Sequence, residues 1–175
     1  AGPIGSELAQ AMQRFGTQVS LFDINTQLLG REDADAAAIV QAQMKQDGMN
    51  IYLGTDIKQI RQTEAGKIVE FSSNGEENSL LVDEILLAVG RRPNVESLAL
   101  DVAQIDYTKQ GVVVNDKLQT SNKHVYAAGD VGVIQGAPKY QFTHTADAAA
   151  RIVLQNALFL GRQKFSDLTI PWVTY

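Results

Sequence analysis

Apolar positions along the chain follow a helical period in some stretches and run together as short strands in others. Leu8, Ala9, Met12 and Phe15 recur at helical spacing, and Gly16 stands where a helix C-terminus takes a left-handed residue, so the pattern predicts a helix over 6–15. Residues 19–22 form a short apolar run rich in strand formers, closed by Asp23, as a buried parallel strand requires. A second helix is predicted over 33–47, with acids in its first turn, Ala36, Ala37, Val40 and Met44 on one face, and Gly48 at its end. Stretches 56–63, 67–72 and 79–82 read as strands. The links between them, Ala65-Gly66 and Asn74-Gly75 with its acidic neighbours, are short enough for an antiparallel meander.

Residues 84–89 read as one more buried strand, and Gly90-Arg91-Arg92-Pro93-Asn94 breaks it, because proline restricts both itself and its predecessor. A domain boundary is expected there. Beyond it, 111–114 and 124–127 read as strands, the second ending at Gly129-Asp130. A long helix over 143–160 carries Ala146, Ala149, Ala150, Val153, Ala157 and Leu160 on one stripe, with Gly161 as its stop. The segment 168–175 is apolar. No internal repeat or low-complexity tract interrupts these elements.

Composition narrows the function classes. The 175 residues are 45% hydrophobic, enough for a buried core. The 15 Lys+Arg against 20 Asp+Glu give a net charge of −5, which argues against a nucleic-acid partner, since phosphate binding needs clustered cations. No apolar run approaches the roughly 18 residues that span a bilayer, and the first residues lack a secretory leader pattern, so no membrane partner is expected. With 0 Cys there is no disulfide, thiolate nucleophile or Cys-ligated metal, and the redox compartment is not readable. The 2 His, His124 and His144, lack the spacing of a helical zinc site, so no metal is expected.

Two stretches carry candidate chemistry. Gly2 and Gly5, flanking Pro3 and Ile4, are spaced as the last two glycines of G-x-G-x-x-G; a helix opens at Gly5, a strand follows, and Asp23 closes it about 20 residues after the turn, as a dinucleotide fold requires. In such a site Gly2 lets the backbone approach a pyrophosphate, Gly5 lets helix and strand pack closely, and the first-turn N–H groups face the anion. Asp23 is placed to accept from both adenosine ribose hydroxyls while repelling a 2′-phosphate, which favours NAD over NADP, and no Arg or Lys follows until Arg31. The bland reading, a simple Gly2-Pro3 turn and a solvated strand end at Asp23, stays open on this half-motif alone. Independently, Val125-Tyr126-Ala127-Ala128-Gly129-Asp130 sets a carboxylate at a strand tip beside a glycine that removes side-chain bulk, although many strands end in Gly-Asp for turn reasons.

With Asp83-Glu84-Ile85-Leu86-Leu87-Ala88-Val89-Gly90-Arg91-Arg92-Pro93-Asn94 between them, these stretches resemble the flavin-dependent pyridine nucleotide-disulfide oxidoreductases, and the likeness runs the length of the chain. Gln141-Phe142-Thr143-His144-Thr145-Ala146 and Ile170-Pro171-Trp172-Val173-Thr174-Tyr175 look most like the mercuric reductase and dihydrolipoamide dehydrogenase branch. The resemblance implies an α/β fold: a Rossmann-like NAD domain over 1–90 with a parallel sheet and a meander, the returning part of an FAD domain over 91–163, and the start of a dimerisation domain over 164–175. It implies that Gly2, Pro3, Ile4, Gly5 and Asp23 hold NAD, that Ile57 lines the adenine site, and that Gly90 lets the nicotinamide end pass. It also places Glu7 where the family's glutamate meets a lysine beside the flavin. Gly129 and Asp130 would bind the ribityl part of FAD, and Gln141, Phe142, Thr143 and His144 would open the helix that faces the flavin pyrimidine edge.

The resemblance further implies a hydride passed from NADH to FAD and electrons onward to a disulfide or related acceptor, in a cytoplasmic homodimer acting on a small molecule. The chain reads as an excised middle that lacks the first strand, the redox cysteines and the His-Glu pair, so it is expected to carry little FAD and to have no turnover alone. Two other readings stand beside this one: a single-cysteine peroxide or coenzyme A reductase, or ferredoxin-reductase-type, flavoprotein, and a non-catalytic NADH-binding module. Among single residues, His144 reads as packing or capping, His124 as a solvated loop residue, Trp172 and Tyr175 as an apolar seam, the run 36–40 as core and Glu76-Glu77 as a solvated turn.

Overall fold

The computed structural model describes residues 1–73 and 75–174; the Asn74 half of the expected Asn74-Gly75 turn and the Tyr175 end of the apolar seam lie outside the described residues. The chain divides into two compact units, one formed by Ala1–Gly90 with Val173 and Thr174, the other by Arg91–Trp172.

In the first unit, helix α1 (Pro3–Arg14) leads into strand β1 (Ser20–Phe22), and helix α2 (Ala34–Gln46) into strand β2 (Asn50–Tyr52). β1 and β2 pair in parallel, Ser20 opposite Asn50 and Phe22 opposite Tyr52. Helix α1 and the β1-α2-β2 crossover bury Ala9, Leu21, Leu28, Leu29, Ala37, Met44 and Met49 in one cluster. Strands β3 (Asp56–Thr63), β4 (Gly66–Ser73) and β5 (Glu76–Val82) form the expected antiparallel meander in the order β3-β4-β5, but β5 starts earlier than 79–82, so Glu76 and Glu77, expected in a solvated turn, pair with Ser73 and Ser72. Phe22 stacks on Tyr52 with ring centroids 4.7 Å apart, and both meet the edge of the meander's Phe71, which locks the two sheets of this unit together.

The second unit holds β6 (Tyr107–Thr108), β7 (Gly111–Val114), β8 (Gly132–Ile134) and the long helix α3 (Thr143–Leu158). β7 pairs antiparallel with β6 and parallel with β8. Its core is Leu100, Ile105, Val112, Val114, Leu118, Ala127, Ala149 and Ile152.

Several expectations are corrected. Residues 84–89 form no strand: the segment has no ladder partner among the described residues, and Val89 is 92% exposed. An apolar run becomes a buried strand only where another strand satisfies its N–H and C=O groups. Residues 124–127 likewise form no ladder among the described residues beyond the isolated bridge between Gln119 and Tyr126. β2, β6 and β8 were not expected; at two or three residues each they are too short to show a period.

The buried faces also differ. On α1, Gly5, Ser6 and Ala9 turn inward while Leu8, Met12 and Phe15 stay exposed. On α2, Ala36 is exposed and Ala37 buried, so the core role of 36–40 falls to Ala37 and the half-buried Val40. On α3 the inward residues are Thr145, Ala149 and Ile152, whereas Ala150, Ala157 and Leu160 face outward. The left-handed residue after α3 is Leu160 (φ 55), not Gly161. Gly161 is confined instead by space, since a Cβ there would lie 2.7 Å from the Gln155 carbonyl oxygen.

Candidate functional site

Helix α1 opens with Gly2 as its N-cap and Pro3 in its first turn, and no side chain caps it. The first helical hydrogen bond runs from the Ser6 N–H to the Gly2 carbonyl at 2.9 Å. Pro3 has no N–H, so the free donors at this positive helix end are the N–H groups of Ile4 and Gly5. Gly2 has φ −77 and ψ 179, a conformation open to any residue, and a Cβ built on it meets nothing within 4 Å. Glycine is therefore not demanded by the backbone; its effect is to leave open the space before the first turn. Gly5 does the opposite. It is buried, and a Cβ there would stand 3.2 Å from the Ala88 Cβ, so its bareness lets α1 lie directly on the 84–89 segment.

Asp23 leaves β1 beside this turn. Its Oδ1 accepts from the Asn25 backbone N–H and from Asn25 Nδ2, both at 2.8 Å, and its Oδ2 accepts from the α-amino group of Ala1. Burial of the carboxyl opposes its ionisation, but the hydrogen bonds from that amino group and from Asn25, with the amino group's charge, outweigh it, and Asp23 titrates below the usual carboxylate range. The backbone around it is fixed on both sides: the Asp23 N–H donates to the Tyr52 carbonyl at 2.9 Å, and the Thr55 N–H donates to the Asp23 carbonyl at 2.9 Å. The Leu29 N–H also donates to the Ala1 carbonyl at 2.9 Å, closing the 25–31 loop over the turn. The structure thus brings residues 2–5 and Asp23 together.

Pro3 and Ile4 are exposed, and Glu7 is half-buried in α1. Ile57 is on β3 opposite Phe71, 44% exposed and two residues beyond the Thr55 anchor. Gly90 is exposed with φ 110, and a Cβ there would meet nothing within 4 Å.

In the second unit, Gly129 and Asp130 lie in a 3-10 turn, Gly129–Val131. Gly129 has φ 78, and a Cβ there would lie 3.1 Å from the Ala146 Cβ, so its bareness lets the turn approach α3. The Asp130 side chain is 42% exposed and forms a loose pair with Arg91, 3.4 Å from Nη1 to Oδ2. Exposed pairs of this kind contribute little stability.

Helix α3 begins after Phe142, an extended N-cap with no side-chain cap, and its first bond runs from the Ala146 N–H to the Phe142 carbonyl at 3.0 Å. The N–H groups of Thr143, His144 and Thr145 therefore have no acceptor within the helix. The half-buried Gln141 precedes this end, and the Phe142 and His144 rings stack at 5.3 Å. Thr145 Oγ1 is buried without a hydrogen-bond partner at this end, beside a cavity of about 30 Å³ that Gly129, Tyr140 and Ala149 also line. Among the described residues, no group of three or more His, Asp or Glu is placed to hold a metal ion.

Residues 1–150 match the family described as pyridine nucleotide-disulphide oxidoreductase. The chain belongs to that family. It is 33% identical over 176 aligned positions to the mercuric reductase of Staphylococcus aureus, covering 100% of this chain and 31% of the relative. It is 30% identical to the dihydrolipoyl dehydrogenase of Thermus scotoductus, covering 99% of this chain and 37% of the relative. The HOCl-induced flavoprotein disulfide reductase RclA from Escherichia coli superposes with a TM-score of 0.84 at 30% identity, over 99% of this chain and 38% of that structure. The chain thus spans about a third of the length of the relatives it matches. Membership implies FAD and NAD(P) as cofactors of the full-length enzymes, and the α/β architecture is that of flavoprotein reductases. No helix among the described residues is long and apolar enough to cross a membrane.

Four residues that the sequence assigns no role stand beside the candidate positions. Asn25, Ala88, Arg91 and Thr145 touch or flank the candidate positions. Only Asn25 carried a legible signal, since Asp-x-Asn is a turn pattern in which side chains bond nearby backbone.

Proposed function

We propose that this chain is the coenzyme-gripping part of an FAD-dependent enzyme that takes a hydride from NADH and passes electrons to a disulfide or related acceptor. The observation that carries the reading is the open space before Gly2, faced by the free N–H groups of Ile4 and Gly5 and flanked by the ionised carboxylate of Asp23. These residues fit a diphosphate beside a ribose: the helix N–H groups bind the anion, and Asp23 Oδ2, the oxygen that takes no donor from Asn25, accepts from one ribose hydroxyl rather than the two expected from the sequence. The charge of Asp23 opposes a 2′-phosphate, which selects NADH over NADPH. Ile57 would line the adenine, Gly90 would let the nicotinamide end pass, and Glu7 would face the flavin side of α1.

The second unit fits a flavin. Asp130 would accept from ribityl hydroxyls beside Gly129, and the α3 end reached through Gln141, Phe142, Thr143 and His144 would stabilise negative charge with its free N–H groups. Thr145 Oγ1, orphaned at that end, is a further donor for the same charge. Bound FAD supplies the two-electron chemistry between nicotinamide and acceptor. In this reading the acceptor is a small molecule, as the names of the mercuric reductase and dihydrolipoyl dehydrogenase relatives suggest, and the parent enzyme is a homodimer.

Calorimetric titration of the 175-residue chain with NADH and with NADPH tests the reading. NADH is expected to bind more tightly, and Asp23→Ala to narrow the difference. A chain that binds neither coenzyme, or both equally, would refute it.

A further inference from the structure

The segment leaving β1 is bonded more heavily than a strand exit needs. Asp23 Oδ1 takes two donors from a single residue, the Asn25 backbone N–H and the Asn25 carboxamide, each at 2.8 Å. A carboxylate oxygen has two strong acceptor directions, so Oδ1 is saturated from within the loop. Asn25 is held in turn. Its own carbonyl accepts from the Gly54 N–H at 2.8 Å, and the Asp23 carbonyl accepts from the Thr55 N–H at 2.9 Å. Gly54 takes φ 62 to make that approach. The exits of β1 and β2 are therefore stapled together, with Asn25 as the staple that reaches the Asp23 side chain.

We infer that Asn25 is a specificity-determining positioning residue, which fixes the Asp23 carboxylate so that Oδ2 alone is presented to an adenosine ribose. The inference rests on the NADH-binding reading of Asp23. A carboxylate saturated on Oδ1 cannot swing aside without breaking the two hydrogen bonds from Asn25, in addition to the contact of Oδ2 with the Ala1 amino group, so a 2′-phosphate meets a carboxylate that cannot retreat. A ribose carrying a free 2′-hydroxyl meets an acceptor already in place, and little side-chain freedom is lost on binding. Asn25 itself is exposed and contributes nothing to the cluster of buried residues, so its removal leaves the core intact.

Asn25→Ala in the 175-residue chain keeps the backbone bond to Oδ1 and deletes the carboxamide bond. The expected result is NADH binding weakened about fivefold, the effect of one ordinary hydrogen bond, with NADPH binding unchanged or tighter. The midpoint of the Asp23 carboxyl, followed by carbon-13 NMR, should rise in the same variant. Asn25→Asp, which replaces the donor with a like charge, should raise that midpoint further. Equal weakening of both coenzymes, or an Asp23 midpoint that does not move, would overturn the role of Asn25. Failure of the NADH-binding reading looks different: Asp23→Ala would then leave the ratio of NADH to NADPH affinity where it was, while the Asn25→Ala shift in the Asp23 midpoint would still be observed.

Discussion

Adding one methyl group at Gly2 and, separately, at Gly5 separates coenzyme binding from packing. At Gly2 the backbone is extended and the new Cβ meets no protein atom within 4 Å. Ala is a poorer N-cap than Gly by roughly 0.5–1 kcal/mol. The narrowed unfolded ensemble returns roughly 0.4–1 kcal/mol, so the two nearly cancel. Gly2→Ala should therefore melt within about 2 °C of the wild type by differential scanning calorimetry. Its methyl group stands where the diphosphate must approach the Ile4 and Gly5 N–H groups, and NADH binding should weaken at least about tenfold, or 1.4 kcal/mol. At Gly5 the methyl would sit 3.2 Å from the Ala88 Cβ, short of the roughly 3.5–4.0 Å optimum for carbon pairs. Helix α1 and the 84–89 segment must part by several tenths of an ångström, at an overpacking cost of about 1–3 kcal/mol. Gly5→Ala should thus lose several degrees of melting temperature. A Gly2→Ala chain that melts normally and still binds NADH with full affinity would refute the claim that Gly2 holds space for the ligand.

In the second unit, Thr145→Val replaces an orphaned buried hydroxyl with a methyl of the same shape, so the flavin-free chain should gain about 1 kcal/mol, read as a raised urea midpoint. Asp116 accepts from the Ser166 hydroxyl at 2.7 Å and from the Ser166 N–H at 2.9 Å, and these bonds hold its carboxyl below the usual range. A depressed folded pKa gives stability that is present above the unfolded value and lost as the pH falls through the folded one. The protection factors of the Phe165 and Ser166 amides, measured against their intrinsic exchange rates at each pH, should therefore fall as the solution is acidified below about pH 4. Asp116→Ala should show that reduced protection already at pH 7.

Much of the fold was legible because a few segments have a clear period or a clear terminator. α2 lies one residue inside its expected limits at each end, and β3 matches its expected limits, because acids, glycines and alternating residues mark them. The helix faces were harder to read. α3 carries alanines nearly all round its first three turns, so the inward stripe is decided by Ile152 and by the sheet it meets, which no local pattern records. Segment 84–89 has the composition of a buried strand, but strand formation belongs to a pair of segments, and one member alone cannot reveal whether its partner is present. The left-handed Leu160 is invisible to a search for glycine terminators.

At the candidate site, Gly2, Gly5 and Asp23 are legible as candidates by spacing, since a dinucleotide turn imposes a fixed distance along the chain. The hold of Asn25 on Asp23 and the approach of Arg91 to Asp130 are side-chain geometries that spacing does not encode.

The central claim is that the turn at residues 2–5 and the carboxylate of Asp23 form one grip on NADH. The most direct test is a nitrogen-15 NMR titration of the labelled chain with NADH. The account predicts saturable shifts at the Ile4, Gly5, Asp23 and Asn25 amides that share one binding constant. Shifts confined to other residues, or a turn and an Asp23 that respond with different constants, would contradict it.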